Sequence, residues 1–116
     1  MTGLAIIVAT ADPARFHAAL SIAAANAALG GRTRVYLHAD AVALAAAPAS
    51  PDDARYEAAG LPTLAQLLAD ALDLGVTLLA CQTGLALSGV ILPDHIEAGG
   101  LVSFLGDLGE DRLLAL

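Results

Sequence analysis

The stretch Leu74-Gly-Val-Thr-Leu-Leu-Ala-Cys81-Gln-Thr-Gly84-Leu-Ala-Leu87 decides the fold. Val76 to Ala80 is a short apolar run after a glycine, which predicts a buried strand. Cys81 stands at its carboxyl end, and the turn through Gly84 predicts the start of a helix. Backbone amides at such a start favour the ionised form of a thiol. Since Cys81 is the one cysteine in the chain, it cannot form an internal disulfide.

The amino-terminal third of the chain predicts a β-α-β unit. Gly3 to Ala9 is a near-continuous apolar run, typical of a strand buried on both faces of a parallel sheet. Asp12 and Pro13 fit the cap and the first position of a helix that Gly30-Gly31 ends. Arg34 to Leu37 predicts the second strand, and the short connection before it favours parallel pairing.

The remainder of the chain continues the alternation of helices and strands. The pattern first predicts a helical turn over Asp40–Leu44, an irregular and mobile loop over Ala45–Ala59 and a helix over Leu61–Leu74. The strand Val76–Ala80 follows, and after Cys81 comes a short helix through about Ser88. The last predicted elements are a brief strand or turn at Ile96, a small helix over Gly100–Leu108 and a strand over Arg112–Leu116. A single domain over residues 1–116 follows from the length. The fold class is α/β, a three-layer sandwich around a mostly parallel sheet of about five strands.

Charge and hydropathy restrict the partners. The net charge is −7, with five arginines and no lysine, so phosphate backbones and anionic lipids are repelled; we expect neither nucleic acid nor a membrane as partner. The uncharged stretch Leu74–Pro93 is interrupted by glycine and polar residues, and Met1–Ala11 lacks the basic residues of a signal peptide, which favours a cytoplasmic protein. Apolar residues, many of them alanine, make up 58% of the chain and predict a homo-oligomer.

Polar side chains follow each of the first three predicted strands. In a parallel sheet the carboxyl ends of the strands meet at one edge, where ligands bind. We therefore expect one site built from Thr10 and Asp12, His38 and Asp40, and Cys81, Gln82 and Thr83, with the amides of Thr83 and Gly84 facing the thiol. The three histidines and one cysteine lack the paired spacing of zinc motifs, and no lysine exists for a phosphate loop. Neither a metal nor a cofactor is expected.

Less specific interpretations stay open for these residues. Free cysteines are among the most buried residues, so Cys81 can also be an inert core thiol. His38 can be a strand-end imidazole whose ring bonds a backbone carbonyl. Asp12 is best explained as a helix cap. For Cys81, the position just past the strand and before Gln82-Thr83-Gly84 favours a functional thiol.

Ordered segments of the chain resemble DsrE/DsrF-like proteins. They are Thr10 to Leu20, Ala28 to Gly31, Val35 to Val42, Leu79 to Gly89 with its cysteine, and Glu97 to Leu105. The resemblance implies a DsrE-like parallel-sheet α/β fold and homo- or hetero-oligomers in sulfur relay or sulfur oxidation. For the expected homo-oligomer, a trimer and a hexamer are the sizes we consider. The resemblance also implies that Cys81 accepts sulfane sulfur as a persulfide. It assigns no task to His38 or Gln82.

The leading hypothesis is therefore a sulfur carrier, a sulfurtransferase-like protein whose partners are sulfur donor and acceptor proteins. Cys81 receives sulfur and delivers it to a second molecule, with His38, Gln82, Thr83, Gly84 and Thr10 as candidate supporting residues. A thiol peroxidase in which Cys81 becomes a sulfenic acid is one alternative. The other is a non-catalytic oligomeric binding or scaffold domain in which the cysteine is merely buried.

Overall fold

A five-stranded, all-parallel sheet in the order β4-β3-β2-β1-β5 forms the centre of the protein. The structure is a computed structural model that describes residues 2–116. The strands are β1 (Leu4–Val8), β2 (Thr33–Leu37), β3 (Thr77–Cys81), β4 (Glu97–Gly99) and β5 (Arg112–Ala115). The helices are α1 (Pro13–Ala28), α2 (Ala43–Ala46), α3 (Asp53–Ala58), α4 (Leu64–Asp73), α5 (Gln82–Ser88) and α6 (Leu101–Gly106), with a 3₁₀ turn over Ala39–Val42.

Local signals explain where the two longest helices begin. The Asp12 side chain accepts the N–H of Ala14 at 2.9 Å, and Pro13 occupies the first turn of α1. At α4, the Thr63 hydroxyl and the Gln66 side chain bond each other's backbone N–H groups in a capping box. These bonds satisfy amides that no helical carbonyl can reach.

Helices cover the two faces of the sheet unequally. α1 packs against α4, and Asn26 of α1 bonds Thr33 of β2 at 2.9 Å. The next residue of β2 points to the opposite face, where the Arg34 guanidinium lies 4.4 Å from the ring centre of Phe104 in α6. The chain then passes from β4 at one edge to β5 at the other through α6. The predicted three-layer α/β class is confirmed, and the sheet is all-parallel.

The prediction of an irregular loop over Ala45–Ala59 is wrong for part of this segment, because α2 ends in it and α3 lies within it. Tertiary bonds organise the segment. The Asp53 carboxylate accepts the N–H of Ser50 at 3.0 Å and the N–H of Leu64, at the start of α4, at 2.9 Å. The Tyr56 ring also stacks on His17 of α1, with 4.2 Å between ring centres. These partners are distant in sequence, so the composition of residues 45–59 does not predict the contacts.

Two strand boundaries differ slightly from the prediction. β3 includes Cys81, one residue beyond the predicted end, and the strand predicted near Ile96 begins at Glu97.

Within residues 2–116, every helix is too short or too polar to span a bilayer.

Candidate functional site

Cys81 ends β3 and also caps α5. Its backbone is extended, and its Sγ accepts the N–H of Gly84 at 3.5 Å, the bond that a serine or aspartate oxygen makes at a helix start. The residue is 6% exposed. Strand pairing and cap geometry together fix the sulfur at the carboxyl edge of the sheet, where the sequence predicts it.

A recess of about 300 Å³ opens beside this sulfur. It is lined by Tyr36, His38, Ala39, Cys81, Gln82, Thr83, Gly100 and Leu101. The fold thus brings together the strand-end residues of β2 and β3, as the parallel arrangement predicts. Gly84 contributes its buried amide, whereas Thr10 is exposed beyond the end of β1 and is not among the lining residues.

The surroundings of Cys81 make its sulfur unusually acidic. Burial raises the pKa of the thiol, but hydrogen bonds that favour the thiolate outweigh burial and lower the pKa from 9.0 to about 7. The donors are the amide of Gly84, the Tyr36 hydroxyl, and the amides of Ala39 and Thr83. A pKa in this range makes the nucleophilic thiolate far more populated near neutral pH than in an ordinary cysteine.

The 3₁₀ turn after β2 carries one of these amides in an uncommon conformation. Ala39 has φ +49°, in the left-handed region that residues other than glycine rarely adopt. Its carbonyl packs against Gly84, where a Cβ atom would lie 2.2 Å from the Ala39 oxygen. The close approach of this turn to α5 is what places amides from two elements around one sulfur atom.

Tyr36 is the residue of the recess that the sequence alone does not reveal. Tyr36 pairs with Leu79 in the sheet register, so Tyr36 and Cys81, two residues further along β3, share one face. The hydroxyl lies 3.3 Å from the carbonyl oxygen of Gly99, the register partner of Cys81 in β4. Side chains alternate between the two faces of β2, which separates Tyr36 from Val35 and Leu37. Only the pairing register shows that the face of Tyr36 is also the face of Cys81.

His38 lines the recess without a bond that fixes its ring. Its Nδ1 is buried and has no hydrogen-bond partner in the part of the chain that the structure describes. The ring lies 6.4 Å, centre to centre, from that of Tyr36. Because a buried polar atom without a partner is costly, this nitrogen is suited to bonding a molecule that enters the recess.

The other histidines lie elsewhere. His17 stacks on Tyr56, and its Nε2 is 3.3 Å from the carbonyl oxygen of Pro62. His95 lines a separate recess along α4. Among residues 2–116, no three His, Cys, Asp or Glu side chains lie close enough together to hold a metal ion.

Comparison of the chain with known proteins does not assign it to a family. No protein-family model matches the chain, and a search of curated proteins finds no match either.

Proposed function

We propose that this chain is a DsrE/DsrF-like sulfur carrier that accepts sulfane sulfur on Cys81 and passes it to a partner protein. The observation that carries the proposal is the sulfur of the only cysteine, which accepts the Gly84 amide at 3.5 Å and lines a recess together with further hydrogen-bond donors on Tyr36, Ala39 and Thr83. Such donors stabilise a sulfur anion, which is the reactive form of both a thiol and a persulfide. The order of sequence segments described above supports the family.

The transfer runs in two displacements that conserve electrons. The Cys81 thiolate attacks the outer sulfur of a donor persulfide R–S–SH, the donor S–S bond breaks, and RS⁻ leaves as Cys81–S–SH forms. An acceptor thiolate then attacks the outer sulfur of this persulfide, and the Cys81 thiolate is released. No second cysteine is required at any step, in agreement with the single thiol of the chain.

The remaining recess residues have roles in the proposal that follow from their positions. The unpartnered His38 Nδ1 orients the incoming donor or carries its proton. The exposed Gln82 and Thr83 form the mouth through which donor and acceptor reach the sulfur. Gly84 holds the anion through its amide. Thr10 receives no role in the transfer.

The partners are sulfur donor and acceptor proteins and further copies of this chain. Leu113 and Ala5 are register partners, as are Ala5 and Arg34, so Leu113 shares the face that α6 covers. It is 48% exposed there, and Val102 of α6 is 88% exposed. A second copy that covers these side chains removes apolar surface from water, which supports a homo-oligomer. A thiol carrier of this kind acts in a reducing compartment, which the cytoplasm provides.

Intact mass spectrometry after incubation with a sulfane-sulfur donor tests the proposal. We expect the protein to gain the mass of one sulfur atom, to lose it on addition of an acceptor thiol, and to gain nothing as the Cys81→Ser variant. A protein whose thiol is alkylated rapidly but never gains sulfur excludes the carrier; trapping of a sulfenic acid after peroxide would then identify a peroxidase.

The scaffold hypothesis keeps one observation in its favour, the 6% exposure of Cys81. It requires a sulfur that reagents cannot reach. Resistance of Cys81 to alkylation in the folded protein, with full reaction in denaturant, is the result that selects the scaffold over both thiol mechanisms.

A further inference from the structure

The hydroxyl of Tyr36 has two acceptors near it, beside the recess. One acceptor is the Gly99 carbonyl oxygen, 3.3 Å away, and the second is the sulfur of Cys81, which shares the sheet face of Tyr36 and lines the same recess. Gly99 and Cys81 are paired across β4 and β3, so a hydroxyl that reaches the first is also close to the second. A phenol has one proton, hence it can donate to only one of them at a time.

The ring that carries this hydroxyl is held rigidly. Tyr36 is 1% exposed, and its ring lies 5.0 Å, centre to centre, from that of Phe104 in α6. Rotation about the bond between ring and oxygen is therefore the motion left to the group. It turns the proton away from the Gly99 carbonyl and toward the sulfur of Cys81.

We propose that Tyr36 is a positioning residue for the sulfur transfer, a proton switch whose O–H turns from the Gly99 carbonyl to Cys81 Sγ whenever that sulfur becomes an anion. When Cys81 is a thiol, the Tyr36 O–H donates to Gly99, and the Tyr36 oxygen accepts from S–H. When the thiol loses its proton to solvent, the hydroxyl rotates and donates to the thiolate. The role of this switch in sulfur transfer rests on the proposed function. The hydrogen bond from Tyr36 to the Cys81 thiolate does not depend on sulfur transfer.

The switch acts at the two moments when Sγ carries negative charge. These are the attack on the donor, when the thiolate is the nucleophile, and delivery to the acceptor, when Cys81 is the leaving group. Burial and the neighbouring Cys81 raise the pKa of the Tyr36 hydroxyl above its usual value, so the proton stays on the phenol. Tyr36 therefore stabilises the sulfur anion by a hydrogen bond and does not protonate it.

The rate of Cys81 alkylation as a function of pH tests this inference. Tyr36→Phe removes the hydroxyl and keeps the ring against Phe104. Hydrogen bonds to charged groups contribute enough to shift the midpoint of the profile by about one pH unit. We expect the midpoint to rise from about 7 to about 8 and the rate at pH 7 to fall roughly five-fold, with convergence of the two rates at high pH. Tyr56→Phe, which changes the only other tyrosine, leaves the profile unchanged.

An unchanged midpoint in folded Tyr36→Phe overturns the proton switch. A protein that shows the expected shift but never gains sulfur from a donor retains the switch and loses the proposed function, so the two failures are distinguishable. If Tyr36→Phe does not fold, tyrosine-selective NMR of the unsubstituted protein replaces it. The Tyr36 signal is expected to move as pH passes through 7, and the part of this movement that is lost in Cys81→Ser reports the coupling; an identical movement in Cys81→Ser refutes it.

Discussion

Replacing Gly84 by alanine tests the contact on which the candidate site depends. Gly84 is the third residue of α5, and its amide bonds the Cys81 sulfur at 3.5 Å. An added Cβ would lie 2.2 Å from the oxygen and 2.9 Å from the carbon of the Ala39 carbonyl, and 3.0 Å from Val42 Cγ1. The nearest of these atoms belong to the backbone, so they cannot turn aside as a flexible side chain would. The helix start and the 3₁₀ turn must separate by about 1 Å.

Two opposing terms set the size of the effect on stability. Alanine favours a helix interior over glycine by about 1 kcal/mol. Overpacking of a dense site costs about 1–3 kcal/mol. Since the clash is with backbone, we expect the cost to exceed the gain and the free energy of unfolding to fall by about 1–2 kcal/mol. Moving α5 also lengthens the bond from the Gly84 amide to the sulfur, which raises the pKa of Cys81 from about 7.

Urea denaturation measures the first effect, and the pH dependence of alkylation measures the second. Gly106→Ala in α6 is the matched control, because a Cβ there meets nothing within 4 Å. That variant should keep or raise the stability, by at most about 1 kcal/mol. A Gly84→Ala protein as stable as Gly106→Ala, with an unchanged Cys81 profile, would refute the close packing of the turn against α5.

Two further predictions concern the loop before α4 and the exposed face of the sheet. The Asp53 carboxylate accepts N–H groups from that loop and from the start of α4, and these bonds lower the pKa of Asp53 below its usual value. The stabilising contribution of Asp53 is therefore present above the pKa of the unfolded chain and lost as pH falls through the lower folded value. The denaturation midpoint of Asp53→Asn should lie below that of the unsubstituted protein at neutral pH and approach it in acid. Asp52→Asn is the control, because neither of these two N–H groups bonds the Asp52 carboxylate. Leu113→Asp should lower the oligomer mass measured by sedimentation, because it places a charge in the apolar face. Leu87→Asp, on the exposed side of α5, is the control and should leave the mass unchanged. Equal masses for the unsubstituted protein and both variants would exclude this face as the interface.

Much of the fold follows from short-range signals. The apolar runs of β1 and β3 lie where the sequence predicts them, within one or two residues. The Asp12 and Pro13 start of α1 has the predicted form, because a cap is a contact between residues two or three apart. The position of Cys81 at the end of β3 was predictable for the same reason.

The segment Ala45–Ala59 marks where such reasoning fails. Its proline, serine and aspartate content is typical of a loop, yet α3 forms in it. The bonds from Asp53 to the start of α4 and the stacking of Tyr56 on His17 join residues that are 11 and 39 positions apart. The composition of a segment does not predict contacts with residues so far away in the sequence.

By itself, the sequence determined the alternation of strands and helices, the parallel sense of the sheet and the place of the lone thiol at its carboxyl edge. Each of these follows from periodicity, caps and turns, which are properties of neighbouring residues. Only the tertiary structure decided which groups surround the sulfur. Tyr36 faces Cys81 because of the register between β2 and β3, and Gly84 meets Ala39 because α5 packs on the 3₁₀ turn. Both depend on pairing between distant segments, whose side-chain faces would all reverse with a register shift of one residue.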